Sequence, residues 1–152
     1  MILTTQQGAV DLTLRPPQNT DEWQAIHALR RRALFAGESR YNENHPDDRS
    51  GDQRLLVLMS VQQVVGTLRV DLSHPVWAAL RLVAIAPSCR GMGFGGAMVG
   101  MAEDFIRDKG WRQVRLHAVN DAVGFYKRCG FHPVAWSEPA RLPDCVDMGK
   151  SL

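Results

Sequence analysis

No stretch of this 152-residue chain approaches the ~20 consecutive apolar residues that a membrane-spanning helix requires. The opening Met1-Ile2-Leu3-Thr4-Thr5-Gln6-Gln7 also lacks the charged-then-apolar order of a secretory leader. The expectation is a soluble, cytoplasmic protein with no membrane partner. Cysteine is scarce: Cys89, Cys129 and Cys145 are odd in number and widely spaced, with neither a disulfide framework nor a paired metal spacing. Three free thiols and no metal are expected. Charge of one sign is lacking too, since a net charge of +2 argues against a nucleic-acid partner. The local cluster Arg30-Arg31-Arg32 reads as the solvated side of a helix. Low-complexity segments and solenoid repeats are absent. With 45% hydrophobic and 22% charged residues, the whole of 1–152 has the size and composition of a single domain.

What is present is an alternation of periods. Val10, Leu12 and Leu14 recur every second residue, a half-buried strand closed by Pro16-Pro17. Asn19 or Thr20 can cap a following helix, in which Trp23, Ile26, Leu29 and Ala33 recur at helical spacing to about Phe35. Residues 36–51 are polar and aperiodic, a length of loop that is usually functional. Residues 55–59 and 64–72 read as a hairpin. Residues 80–85 form an apolar strand covered on both faces. Phe94, Met98, Met101 and Phe105 mark a helix that Gly110 stops. Residues 111–118 are a strand, Asn120-Asp121 caps a short helix ended by Gly130, and strands at 132–138 and 145–151 follow. The order is β-α-β-β-β-α-β-α-β-β, an α/β (α+β) mixed sheet with helices on its faces.

Between the apolar strand and the second helix stands Arg90-Gly91-Met92-Gly93-Phe94-Gly95-Gly96. Glycines let the backbone approach an anion, and a helix N-terminus offers unpaired N–H groups, so the expected ligand carries phosphate. A dinucleotide fingerprint fails, because Gly91, Gly93, Gly95 and Gly96 keep neither its spacing nor its place near a first strand. An ATPase phosphate loop fails as well, because Gly96 is followed by Ala97-Met98 where Lys-Ser or Lys-Thr is required.

The turn, with Ile85-Ala86-Pro87 before it, resembles the Arg/Gln-x-x-Gly-x-Gly/Ala signature of the GNAT superfamily of N-acetyltransferases. Asn120, Phe125-Tyr126 and Gly130-Phe131 are similar to that superfamily's second element. The strand Gly66-Thr67-Leu68-Arg69 and the ending Glu138 to Met148 resemble small bacterial ElaA-like members. The resemblance implies a mostly antiparallel mixed sheet of six to seven strands with splayed central strands. It also implies acetyl-CoA as cofactor and transfer of its acetyl group to a small-molecule or peptide amine. Val83, Ala84 and Ile85 would present backbone groups to the pantetheine arm, with an amide near Ile85 stabilising the oxyanion. Arg90, Gly91, Met92, Gly93, Phe94, Gly95 and Gly96 would wrap the pyrophosphate. Asn120 would bind pantetheine or hold the splayed strands. Tyr126 would be the general acid, since a phenol stays protonated at neutral pH. A homodimer, frequent in the family, is left open.

Several members place a glutamate on the strand before the turn, but residues 78–85 contain no carboxylate. His117 is the first candidate for the base. Glu138, His74, Asp71 and Glu38 are alternatives, and a base is dispensable if the amine arrives neutral. The gap also motivates a second reading, a coenzyme A binding or sensing domain with incomplete catalytic apparatus. The acids Glu38, Glu43, Asp47, Asp48, Glu138 and Asp144 would suit a cationic amine such as a polyamine, an aminoglycoside or a peptide lysine.

Overall fold

The computed structural model describes residues 1–35 and 41–152. Glu38, one of the candidate bases, lies outside the described residues. Strands β1 (Ile2–Thr5), β2 (Gly8–Arg15), β3 (Gln53–Ser60), β4 (Gln63–Asp71), β5 (Ala78–Ile85), β6 (Gln113–Ala118), β7 (His132–Pro133) and β8 (Val146–Ser151) alternate with helices α1 (Thr20–Ala33), α2 (Phe94–Asp108) and α3 (Val123–Arg128). They form one sheet in the order β1-β2-β3-β4-β5-β6-β8-β7. Every neighbouring pair is antiparallel except β5 with β6. Among the described residues no helix is long and apolar enough to cross a membrane.

The alternation of side chains along β3 divides the interior. Leu56 and Leu58 join Leu68, Val70, Met98, Ile106 and Leu116 in the larger core, under α2. Leu55, Val57 and Met59 point the other way and pack on Ile26 of α1. Both faces of the sheet are therefore covered by a helix with an apolar stripe, the arrangement that the alternating periods imply.

The differences from expectation have local causes. Eight strands stand where six to seven are expected, because residues 1–5, which carry no clear alternation, fold back through a tight turn to pair with β2. Helix α1 ends at Ala33, two residues before Phe35. Arg30 does not lie on a solvated side: its side chain is 1% exposed and paired with Asp48, whereas Arg31 is half exposed and pairs with Glu43. The strand expected at 132–138 keeps only two paired residues. Proline at 133 has no N–H to continue a ladder, and after the bond from Val134 N to Asp147 O the chain leaves the sheet. Asn120 caps nothing; it lies within a short 3-10 turn ahead of α3, with no side-chain bond to the helix.

The start of α1 is held by a charged cap. Asn19 Oδ1 accepts the Glu22 N–H at 2.9 Å, and Glu22 in turn accepts the Gln18 N–H at 2.8 Å and two N–H groups of Arg15 at 2.7 and 2.9 Å. Arg15 above all, and then the Gln18 amide, hold the Glu22 carboxyl at about 2, below its ordinary 4.5. A depressed carboxyl contributes stability above its unfolded value and loses it as pH falls through the folded one. Glu22→Gln is expected to cost about 1–2 kcal/mol at pH 7, a difference that shrinks between pH 4.5 and about 2. Denaturant unfolding at both ends of that window measures it; an equal loss at both would remove the charge from the explanation.

Candidate active site

Strands β5 and β6 pair only at Ala78↔Val114 and Ala79↔Arg115. Beyond that point they separate, and the β6-facing edge of residues 80–85 is left without a strand partner. On its other side β5 stays bonded to β4, with a register shift between Thr67 and Arg69. Leu82 takes φ +52 opposite that shift, a bulge that re-aims the strand. Gly66 makes the close approach possible: a Cβ there would stand 2.8 Å from Ile85 Cδ1 and 3.2 Å from the Ala84 carbonyl. The expectation that 80–85 is covered on both faces fails at Arg81, Leu82 and Val83, which are partly exposed, because the strands part there.

Directly after β5, a 3-10 turn at Pro87–Cys89 leads into the glycine segment. Gly91 and Gly93 take φ +78 and +83, values that glycine adopts without strain. Gly93 starts α2 with no side-chain cap and no acid in the first turn. The amides of Phe94, Gly95 and Gly96 are therefore unclaimed at the positive end of a helix dipole. Met92 is packed against the core and Phe94 is buried, which pins the turn from beneath. Arg90 is exposed. A Cβ on Gly95 would meet the Phe125 ring at 3.0 Å, whereas Gly91 and Gly96 face open space. The turn is thus seated on α3 on one side and open on the other.

Between the parted strands and the C-terminal half of α1 lies a cavity of about 510 Å³. Val83, His117, Tyr126, Arg69 and Arg81 are among its lining residues. Of the expected site residues it brings together Val83, His117 and Tyr126; Ala84, Ile85, residues 90–96 and Asn120 lie outside its lining. Asn120 is exposed on the turn before α3.

Tyr126 is 7% exposed and packed edge-on against Phe125 and Phe131, at ring-centroid distances of 5.0 and 5.8 Å. Burial, with a smaller contribution from Cys129, pushes its phenol well above the ordinary value. It is a protonated donor throughout the neutral range.

His117 is held at both nitrogens, Nδ1 to Asp147 Oδ1 and Nε2 to Glu138 Oε2, each at 2.7 Å. Its ring stacks on Trp136 at 4.1 Å. Glu138 also receives Arg81 through two bonds of 2.7 and 2.8 Å, and Arg81 reaches on to Asp71 at 2.9 and 3.0 Å. Arg81, with His117 behind it, holds the Glu138 carboxyl below its ordinary range. Asp71 resists desolvation because Ser73 and Arg81 hydrogen-bond it, and it too is held low. Both are ionised at neutral pH. His74 stacks on Trp77 and does not line the cavity. Arg81, Trp136 and Asp147 were not among the expected site residues; the one visible signal was an arginine standing alone in the apolar run of 80–85.

An acetyltransferase (GNAT) family model matches residues 23–131. The chain belongs to that family. Escherichia coli ElaA is similar in fold, with a TM-score of 0.76 at 19% identity over 93% of this chain and 99% of that one. An acyl-CoA N-acyltransferase from Pseudomonas aeruginosa gives 0.74 at 23% over 93% and 99%. Spermidine N-acetyltransferase from Vibrio cholerae, solved with CoA and spermine, gives 0.72 at 20% over 92% and 95%. No curated protein matches in sequence.

Acetyl-CoA is the donor of the GNAT acetyltransferases, and the residues of this acetyltransferase fit it on two structural grounds. A run of amides at the start of α2 has no acid to repel a pyrophosphate, and a strand edge lies open inside the sheet. Gly96→Ala tests the first. Its Cβ meets nothing in the protein, and alanine favours helix by up to about 1 kcal/mol. The expected result is an unchanged or raised Tm without ligand, together with a smaller acetyl-CoA-induced rise in Tm. A full-sized rise would take Gly96 out of the cradle.

Proposed function

We propose that this chain transfers the acetyl group of acetyl-CoA to an amine held in the cavity between β5, β6 and α1, by direct attack. The observation that carries the reading is the position of Tyr126, a buried and protonated phenol on the wall of a cavity whose other side is the open edge of β5. Acetyl-CoA, when bound, supplies an activated thioester. Arg90 and the amides of Gly91, Met92, Gly93, Phe94, Gly95 and Gly96 would hold its pyrophosphate, with Val83, Ala84, Ile85 and Asn120 along its pantetheine arm. An amide of the 83–85 edge would offer its N–H to charge developing on the carbonyl oxygen. Tyr126 Oη forms no hydrogen bond among the described residues, so its proton is available to a departing thiolate.

His117 is the residue proposed to take the proton of the amine. Asp147 accepts from Nδ1, and Glu138, a carboxylate that can only accept, holds Nε2 as a donor in this arrangement, so Nε2 becomes the proton-accepting nitrogen only once Glu138 has moved off it. Glu138 covers Nε2 at 2.7 Å from a side chain 35% exposed, so the amine would displace that carboxylate. The sensing-domain reading needs a cavity without a proton acceptor, and His117 in the wall favours the enzyme over it.

Release of free thiol from acetyl-CoA with a panel of amines tests the proposal. Tyr126→Phe is expected to lower kcat by about 10²-fold or more while leaving acetyl-CoA binding intact. Tight binding without turnover across the panel would favour a sensing domain instead. His117→Ala is expected to slow the reaction most at neutral pH and least near pH ~10, where an alkylamine arrives neutral. A pH–rate profile that coincides with the wild type throughout would eliminate His117 as the base.

A further inference from the structure

One carboxylate in this cavity serves two buried guanidinium groups. Arg30 binds Asp48 in a fork, Nη1 to Oδ2 at 2.8 Å and Nη2 to Oδ1 at 3.0 Å. Arg69 Nη1 shares Oδ1 at 3.1 Å. The three side chains are 1%, 8% and 2% exposed for Arg30, Arg69 and Asp48, so this is a desolvated cluster with an excess of one positive charge. Asp47 adds a looser ion pair from the rim, its Oδ2 3.6 Å from Arg69 Nη2 on a side chain 45% exposed, where solvent screens it. The Nε atoms of Arg30 and Arg69 have no partner. Arg69 Nη2 makes no hydrogen bond among the described residues either. Both arginines line the cavity.

The rest of the wall repeats the pattern. Arg81 also lines the cavity, and Asp48 is the single acid among its described lining residues. The acids that neutralise Arg81, namely Asp71 and Glu138, are not on the lining. Three of the six acids expected to attract a cationic amine are spent in the same way: Glu43 on Arg31, Asp48 on two arginines, Glu138 on Arg81 and His117.

We infer that the acceptor is an amine that also carries a carboxylate, an amino-acid-like molecule, and that Arg69 is the residue that reads the carboxylate. A guanidinium fork matches a carboxylate in shape, and a single excess charge matches a monoanion better than a phosphate dianion. Arg69 stands opposite Arg81 in the β4–β5 register, and Arg69 and Val83 line the same cavity. Anion site and cofactor edge therefore fit within one small molecule. The inference rests on the transferase reading above and names its substrate class. It sets this chain apart from its structural neighbour that binds spermine.

The experiment pairs free amino acids with their own carboxamides, adds spermidine as a polycation, and follows thiol release from acetyl-CoA. The expected result is a kcat/KM at least tenfold higher for the carboxylate than for its carboxamide, with spermidine the poorest acceptor. Arg69→Gln should bring the ratio toward one, and Arg69→Lys, which keeps the charge and spares the buried cluster, should retain part of it. Equal use of both series, a preference for spermidine, or a ratio unchanged in both variants overturns the inference and leaves the transferase standing. An acetyl-CoA-induced rise in Tm with no turnover of any amine overturns the transferase reading, and this inference falls with it.

Discussion

A sheet is held together by backbone groups that must each find a partner, and the site depends on a place where this sheet declines to provide one. β5 and β6 run side by side for two paired residues and then separate. The residues that follow, 80–85, keep β4 on one side and face a cavity on the other. An extended ligand can complete the ladder there as an additional strand would, and its polar groups find N–H and C=O groups already spaced for them. The Leu82 bulge, the 3-10 turn and the glycine segment come next in the chain, so a ligand lying along β5 meets the anion cradle at the end of the same strand. The sequence order of these parts is the order in which an elongated cofactor would encounter them.

Separated strands need something to fix their distance, and here it is a ladder of charges. Asp71 on β4, Arg81 on β5, Glu138 on the segment after β7, His117 on β6 and Asp147 on β8 are joined in succession by contacts of 2.7 to 3.0 Å. Each basic group sits between two acids. Trp136 stacks on His117, and the Arg81 guanidinium lies 5.9 Å from its ring centre. Where backbone bonds are absent, side chains brace the gap, and two members of the brace, Arg81 and His117, line the cavity. The proton-accepting group proposed for the reaction is thus part of the strut that keeps the site open. Removing it would disturb both roles, which is why its pH dependence is more informative than its bare effect on rate.

The parts of this picture that are local in the chain were legible in the sequence, and those made by distant partners were not. Periods of two and near four placed β2, α1, β3, β4, α2 and β6. The glycines between 91 and 96 and the Tyr126 to Phe131 element carried the family resemblance that implied the cofactor. By contrast, Arg81 and Glu138 lie 57 residues apart, and nothing in their immediate neighbours indicates the pairing. Arg30 sits in a run of three arginines that reads as solvated, yet Asp48, 18 residues on, draws it inside. Glu43, Asp48 and Glu138, counted as an attraction for cationic substrates, looked available because their arginine partners come from other elements. The short β7 shows the opposite case: Pro133 was in plain view, but the apolar residues after it carried the strand expectation past it.

Hydrogen exchange at the backbone amides of residues 80–96, with and without coenzyme A, bears most directly on the claim that the open edge of β5 and the adjoining turn form one cofactor track. The account predicts slower exchange on binding at residues 83–85 and again at 91–96, with the paired stretch around Ala78 and Ala79 unchanged. Protection that appears elsewhere and leaves both of these segments exchanging as in the free protein would contradict it.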